Sequence, residues 1–315
     1  MLDRIGGVQG MDPNGETWYC NTKEIEALTG ANCPQEVLWR GQKSQSNSLE
    51  SDNYPPSIYG NGRVNPTQNF VNAFPMANGY PISMTSESKY DAANPYNGRD
   101  PRLAKYVLLN GSTQGSSSAV IETCVDGSTK DALDNLTGSS TRTGYYLRKL
   151  LRSDINLDPK STSKQYHYNP YIRYTEMFLS YAEAANEAWG PKGKGTHSYS
   201  AYDVIKAIRE RAGLGDADKG DAYLEECAAS QDKMRELIRN ERRIELSFEG
   251  FRFWDLRRWK CNLNETTQGM SISKEKGTYT VVDVDTRKYE DYMYYAPIPY
   301  SEVLKYSELK QNAGW

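Results

Sequence analysis

Long apolar runs are the first thing missing from this chain. None approaches the ~18–20 residues of a membrane span, and mean hydropathy is −0.78. Residues 1–10 carry neither a basic n-region nor an apolar h-region, so no secretion signal is legible there. Basic charge is not in excess either. Lys and Arg number 38 against 41 Asp and Glu, a net charge of −3, which argues against a general nucleic-acid surface that displaces counterions. Histidine is nearly absent: His167 and His197 sit in different contexts, without a companion at metal-ligand spacing. HExxH, GxSxG, Walker A and GxGxxG patterns are all lacking. The five cysteines, Cys20, Cys33, Cys124, Cys227 and Cys261, form no CxxC, and an odd number excludes complete internal pairing. Cys20 and Cys33 are placed to bridge a loop; the plainer expectation is five small thiols.

Paired carboxylates are present but carry little. Glu225-Glu226 and Asp283-x-Asp285 read as solvated faces, because glycoside hydrolysis needs two carboxyl groups at a fixed separation across a sugar. Too few oxygen ligands accompany Asp283 and Asp285 for a calcium loop. The sequence therefore predicts no catalytic residue, no metal site and no cofactor.

What is abundant is tyrosine, 24 residues against 6 Phe and 6 Trp. A tyrosine ring offers a flat apolar face with a polar edge, which suits half-wet surfaces better than phenylalanine does. The chain of 315 residues is long enough for a real core and changes character near residue 168. Residues 1–168 read as a loop-rich region with short helices and strands. Asn65-Pro66-Thr67-Gln68 predicts a short helix over 66–74 that stops before Pro75. Short extended segments are expected at 106–109, 119–125 and 144–151, separated by the loops 110–118 and 137–144. Residues 169–315 read as helical. Phe178, Tyr181, Ala182, Ala185, Ala188 and Trp189 form one stripe of a helix over 171–189. Further helices are expected at 200–212, ending at Gly213, at 231–247 and at 250–260.

The stretch RNERRIELSFEGFRFWDLRRW (239–259) sets acids and arginines among large aromatics. One reading is a pair of amphipathic helices with solvated salt bridges. The other is a family signature in which Phe248, Phe251, Phe253, Trp254 and Trp259 are buried. Some of Arg239, Glu241, Arg242, Glu245, Glu249, Arg252 and Asp255 must then pair near the core.

That block resembles the C-terminal hallmark of the SusD/RagB family of nutrient-binding outer-membrane lipoproteins. PTQNFVNAFPMANGYPI (66–82), YDAANPYNGRDPRL (90–103), GYYLRKL (144–150), NPYIRYTEMFLSYAEAANEAWG (169–190), VIKAIRERAGL (204–214) and YAPIPYSEVLKYSELKQNAGW (295–315) fit the same pattern in order, with an echo in PQEVLWRG (34–41). The resemblance implies a mainly α, SusD-like fold: two degenerate tetratricopeptide-type helix pairs in 169–315 beside the irregular region with short strands. It also implies that a signal, a lipid-bearing cysteine and an N-terminal helical part of the family pattern would precede Met1.

Functionally it implies a non-catalytic protein on the bacterial cell surface that passes an oligosaccharide to a SusC-type TonB-dependent transporter. A peptide-binding RagB-like protein and a protein–protein scaffold without a small ligand are the alternatives. For the ligand surface, the Trp18–Tyr96 region supplies Trp18, Trp39, Tyr54, Tyr59, Tyr80 and Tyr96 among amides and arginines. Tyr54 and Tyr59 are the preferred pair, because SDNYPPSIYGNGR is a long, polar, proline-stiffened loop. Trp189, Trp254, Trp259 and Trp315 read as structural parts of the helical half.

Overall fold

A computed structural model describes residues 2–315. Its helical half is built from Tyr174–Trp189, Ala201–Ala212, Ala222–Ala228, Gln231–Glu245 and Phe251–Arg258. Tyr174–Trp189 packs against both Ala201–Ala212 and Gln231–Glu245. The small Ala182 and Ala185 allow close approach, and Val204, Ile205, Ile208, Met234, Leu237 and Ile238 fill the space between. Local chemistry sets the ends. Ser200 and Asp203 form a reciprocal capping box, and Gly213 closes the same helix in the left-handed conformation, φ 81°.

Three expectations about elements change. The 171–189 helix begins only at Tyr174, because Pro170–Arg173 pairs instead as an antiparallel strand with Val37–Arg40. The helix over 66–74 shrinks to Gln68–Val71. Its cap is Thr67, whose hydroxyl accepts from Phe70 N–H, while the Asn65 side chain serves the Gly62 carbonyl and the Arg142 N–H. Unforeseen by the sequence reading are the helix Ala222–Ala228, capped by Asp221, and the hairpin of Thr266–Ser273 with Thr278–Thr286. The three extended segments of the first half survive only as two-residue strands, Val107–Leu108, Ala119–Val120 and Tyr146–Leu147.

The halves are joined by buried charge. Arg102, fully enclosed, reaches Asp100 at 2.7 Å, Glu241 at 2.8 Å and Glu245 at 2.9 Å. Arg209 holds Glu241 at 2.8 Å and Arg211 holds Glu245 at 3.0 Å. Arg173 bridges Glu36 and Glu249, each at 2.7 Å, and Lys149 donates to Glu249 at 2.6 Å. Burial opposes ionisation of Glu245, yet the surrounding Arg211, Arg102, Arg173 and Lys149 outweigh it and hold its pKa at about 2. The expected core pairing of Glu241, Arg242, Glu245 and Asp255 is thus present.

The matching expectation for the aromatics fails at Phe253 and at Trp254, which is 65% exposed. Their helix turns only Asp255 fully inward; the Arg257 guanidinium lies 3.5 Å from the Phe253 ring centre, and Trp254 meets the Phe253 ring edge-on at 5.0 Å. Trp259 lies between Arg239 and Arg258 and donates its indole N–H to Glu183 at 2.7 Å. Trp189 and Trp315 are also exposed. All five cysteines are free thiols. Among the described residues no helix is long and apolar enough to cross a membrane, and no cluster of metal-ligating side chains occurs.

Candidate functional site

Strand Val37–Arg40 would, by simple alternation, send Val37 and Trp39 to the same face. The pairing with Pro170–Arg173 is irregular on both sides of Trp39. Val37 is consequently buried while Trp39 turns outward, 59% exposed. On the partner strand Tyr171 is 53% exposed. The two rings meet with centroids 4.8 Å apart at an interplanar angle of 52°. Gly41, two residues beyond Trp39, leaves room for this. A Cβ there would stand 3.3 Å from the Tyr171 hydroxyl.

The pair forms a ridge between two open hollows. Tyr171 borders one of about 540 Å³, with Leu49, His167, Glu176 and Phe251 on its walls. Trp39 borders the other, about 500 Å³, beside Arg40 and Lys43. Gln42 lines both. Each volume falls within the roughly 300–1,000 Å³ of small-ligand sites. The charged walls are tied down. Arg40 donates to the carbonyls of Asn32, Gly41 and Gly30, and Lys43 to those of Ile25 and Glu26, which fixes the loop beneath Trp39. His167 sits between the Gln165 carbonyl at 2.9 Å and the buried Glu50 carboxylate at 3.0 Å. Burial works against a charged imidazole, but the Glu50 hydrogen bond and charge outweigh it and raise the pKa of His167. The exposed amides of Gln42 and Asn169 stand beside the ridge.

The six aromatics expected at the surface scatter. Trp39 stands on the ridge. Trp18 is only 5% exposed and belongs to the floor of the Tyr171 hollow, packed with Tyr19 and Tyr168 at 5.7 and 5.4 Å. Its face is therefore closed to stacking, although its buried indole N–H has no hydrogen-bond partner among the described residues. Tyr54 is 1% exposed: the helix Ser48–Asn53 ends on it, the ring packs with Leu147 and Leu151, and its hydroxyl donates to the Arg152 carbonyl. The preferred Tyr54–Tyr59 pair is thus split. Prolines 55 and 56 turn the chain so that Tyr54 points inward, whereas Tyr59, left-handed at φ 66°, is 57% exposed and lines neither hollow.

Tyr80 and Tyr96 are half-buried. Tyr80 donates to Glu226 at 2.6 Å, which raises its pKa to about 12, and Tyr96 meets the Tyr145 hydroxyl at 3.0 Å. Neither borders the ridge hollows. Sequence reasoning missed Tyr171, Gln42 and Glu176. The helix expected over 171–189 takes in both Tyr171 and Glu176, and Pro170–Arg173 shows no alternation that marks it as a strand. The paired carboxylates have partners of their own: Glu225 receives the Tyr202 hydroxyl and Lys192, and Asp283 receives Gln268.

Against known proteins, the model of the SusD family matches residues 35–315. SusD-like protein P2 of Formosa agariphila is 31% identical over 141 residues, 45% of this chain and 24% of that one. Among solved structures, a SusD-like protein from Bacteroides fragilis superposes with a TM-score of 0.72 at 26% identity, covering 97% of this chain and 58% of its own. A SusD-like carbohydrate binding protein from the same species gives a TM-score of 0.62 at 24% identity, covering 85% of this chain and 53% of its own. This second likeness speaks to fold alone. The matched stretch spans between half and three-fifths of both solved chains.

Proposed function

The chain belongs to the SusD family, and on that premise we propose that it binds a glycan, without cleaving it, across the Trp39–Tyr171 ridge. One observation carries this reading: two tilted, mostly exposed rings held on paired strands between two hollows that share Gln42. A pyranose has apolar C–H faces and a rim of hydroxyls. Its faces suit the rings, and its rim suits the exposed Gln42 and Asn169 amides. A ligand that lies over the ridge enters both hollows, so the site favours an extended chain over a single sugar.

Capture is shallow. Stacking and exchangeable hydrogen bonds leave only a modest surplus over the entropy of binding. Family membership extends the proposal to a bacterial outer-membrane, cell-surface position and to delivery of the glycan to a SusC-type TonB-dependent transporter.

The test is an array of plant, host and microbial glycans probed with the unaltered chain and with Trp39→Ala, Tyr171→Ala and Tyr59→Ala. Retention lost at Trp39 and Tyr171 but kept at Tyr59 supports the ridge. Retention lost only at Tyr59 moves the site to its loop, and a response to peptides in place of glycans overturns the reading.

A further inference from the structure

Glu176 is the third residue of the helix Tyr174–Trp189 and stands half-buried on the wall of the Tyr171 hollow. The cations beside that wall are already matched. Arg173 is held by Glu36 and Glu249, Arg242 by Asp255, and His167 by Glu50. Among the described residues Glu176 enters no ion pair. Burial pushes its pKa up, with Arg242 and Arg173 acting only partly against that rise. A second negative charge brought into this partly desolvated hollow meets a carboxylate at close range and finds no unmatched cation there. Repulsion in such a place is stronger than in water.

We infer that Glu176 sets the charge class of the ligand: the hollow beside Tyr171 accepts neutral sugar units and turns away units bearing uronate or sulfate. The inference rests on the glycan reading above and deepens it. On the far side of the ridge Arg40 and Lys43 are engaged by backbone carbonyls. Those two cations keep their charge, so the rejection of anionic units belongs to the Tyr171 side, where Glu249, the other carboxylate on the wall, is matched by Arg173 and Lys149.

The experiment compares backbone-matched oligosaccharides on one array, each as its neutral form and as forms carrying uronate or sulfate, followed by titration of the members retained. The neutral form is expected to bind about tenfold or more tightly than its anionic counterpart. Glu176→Gln, isosteric and uncharged, is expected to narrow that ratio to about threefold or less, and Glu176→Asp, which keeps the charge, to preserve it. Anionic members bound as well as neutral ones overturn the inference while leaving the glycan reading intact. A ratio unmoved by Glu176→Gln overturns it as well. Silence across the whole array overturns the glycan reading, and this inference falls with it.

Discussion

Trp39 and Tyr171 have the exposure of ligand residues and the support of structural ones. Each ring lies on a hydrogen-bonded strand, and the loop under Trp39 is fixed by the Arg40 and Lys43 contacts to carbonyls. Ordering cost on binding is small for side chains held in this way. Tyr54 shows the opposite case. Its letters, YPP in a polar loop, read as a surface aromatic, but its hydroxyl sits on the Arg152 carbonyl inside the fold. Replacement by phenylalanine leaves that buried carbonyl short of a partner and should cost about 1–2 kcal/mol in urea unfolding. Glycan retention by Tyr54→Phe should stay as it was; a loss of retention with unchanged stability would contradict this placement. From the letters alone Tyr54 and Tyr59 are indistinguishable, since what separates them is the direction in which two prolines turn the chain.

At the level of elements, legibility followed local chemistry. The Ser200–Asp203 capping box and Gly213 fix the helix Ala201–Ala212 within a residue of its expected ends. The start of the helix at Tyr174 is not legible, because a strand running straight into a helix carries no break between Arg173 and Tyr174 for a periodicity argument to find. The hairpin Thr266–Ser273 with Thr278–Thr286 carries its signal as alternation around Lys274–Gly277. It docks through Met270, whose N–H donates to the Thr143 carbonyl at 2.8 Å. Beside that contact Gly144 has φ 81°, and a Cβ there would lie 2.2 Å from the Met270 carbonyl oxygen. Gly144→Ala therefore combines left-handed strain with a backbone clash. It should lower stability by about 2–4 kcal/mol, read as a lower denaturation midpoint. A loss of stability below about 0.3 kcal/mol would contradict this tight docking of the hairpin.

Across the whole molecule, buried ion pairs replace part of the apolar contact between the halves. Glu245 serves Arg102 and Arg211 together. Glu245→Gln removes the nearest carboxylate of Arg211 and one of the three around Arg102, and should cost about 3 kcal/mol. The sign with pH follows from the depressed pKa. Glu245 contributes stability above the ordinary carboxyl pKa near 4.5, and that contribution is lost as pH falls through its folded value of about 2. Thermal unfolding between those limits should show the unaltered chain losing stability more steeply than Glu245→Gln; parallel profiles would contradict the assignment.

The same network explains why the 239–259 block was the most telling part of the sequence. Its charges are placed for tertiary partners such as Arg102 and Lys149, which lie far away in the chain. The ridge was less legible, because Trp39 and Tyr171 come together only once the strands pair.

The central claim is that this ridge holds the ligand. Calorimetric titration of the unaltered chain and of the Trp39→Ala/Tyr171→Ala double variant, against an oligosaccharide retained on the array, tests it most directly. The account predicts affinity at least about tenfold weaker for the double variant, with thermal stability preserved because both rings are mostly exposed. Equal affinity in the two titrations would contradict it.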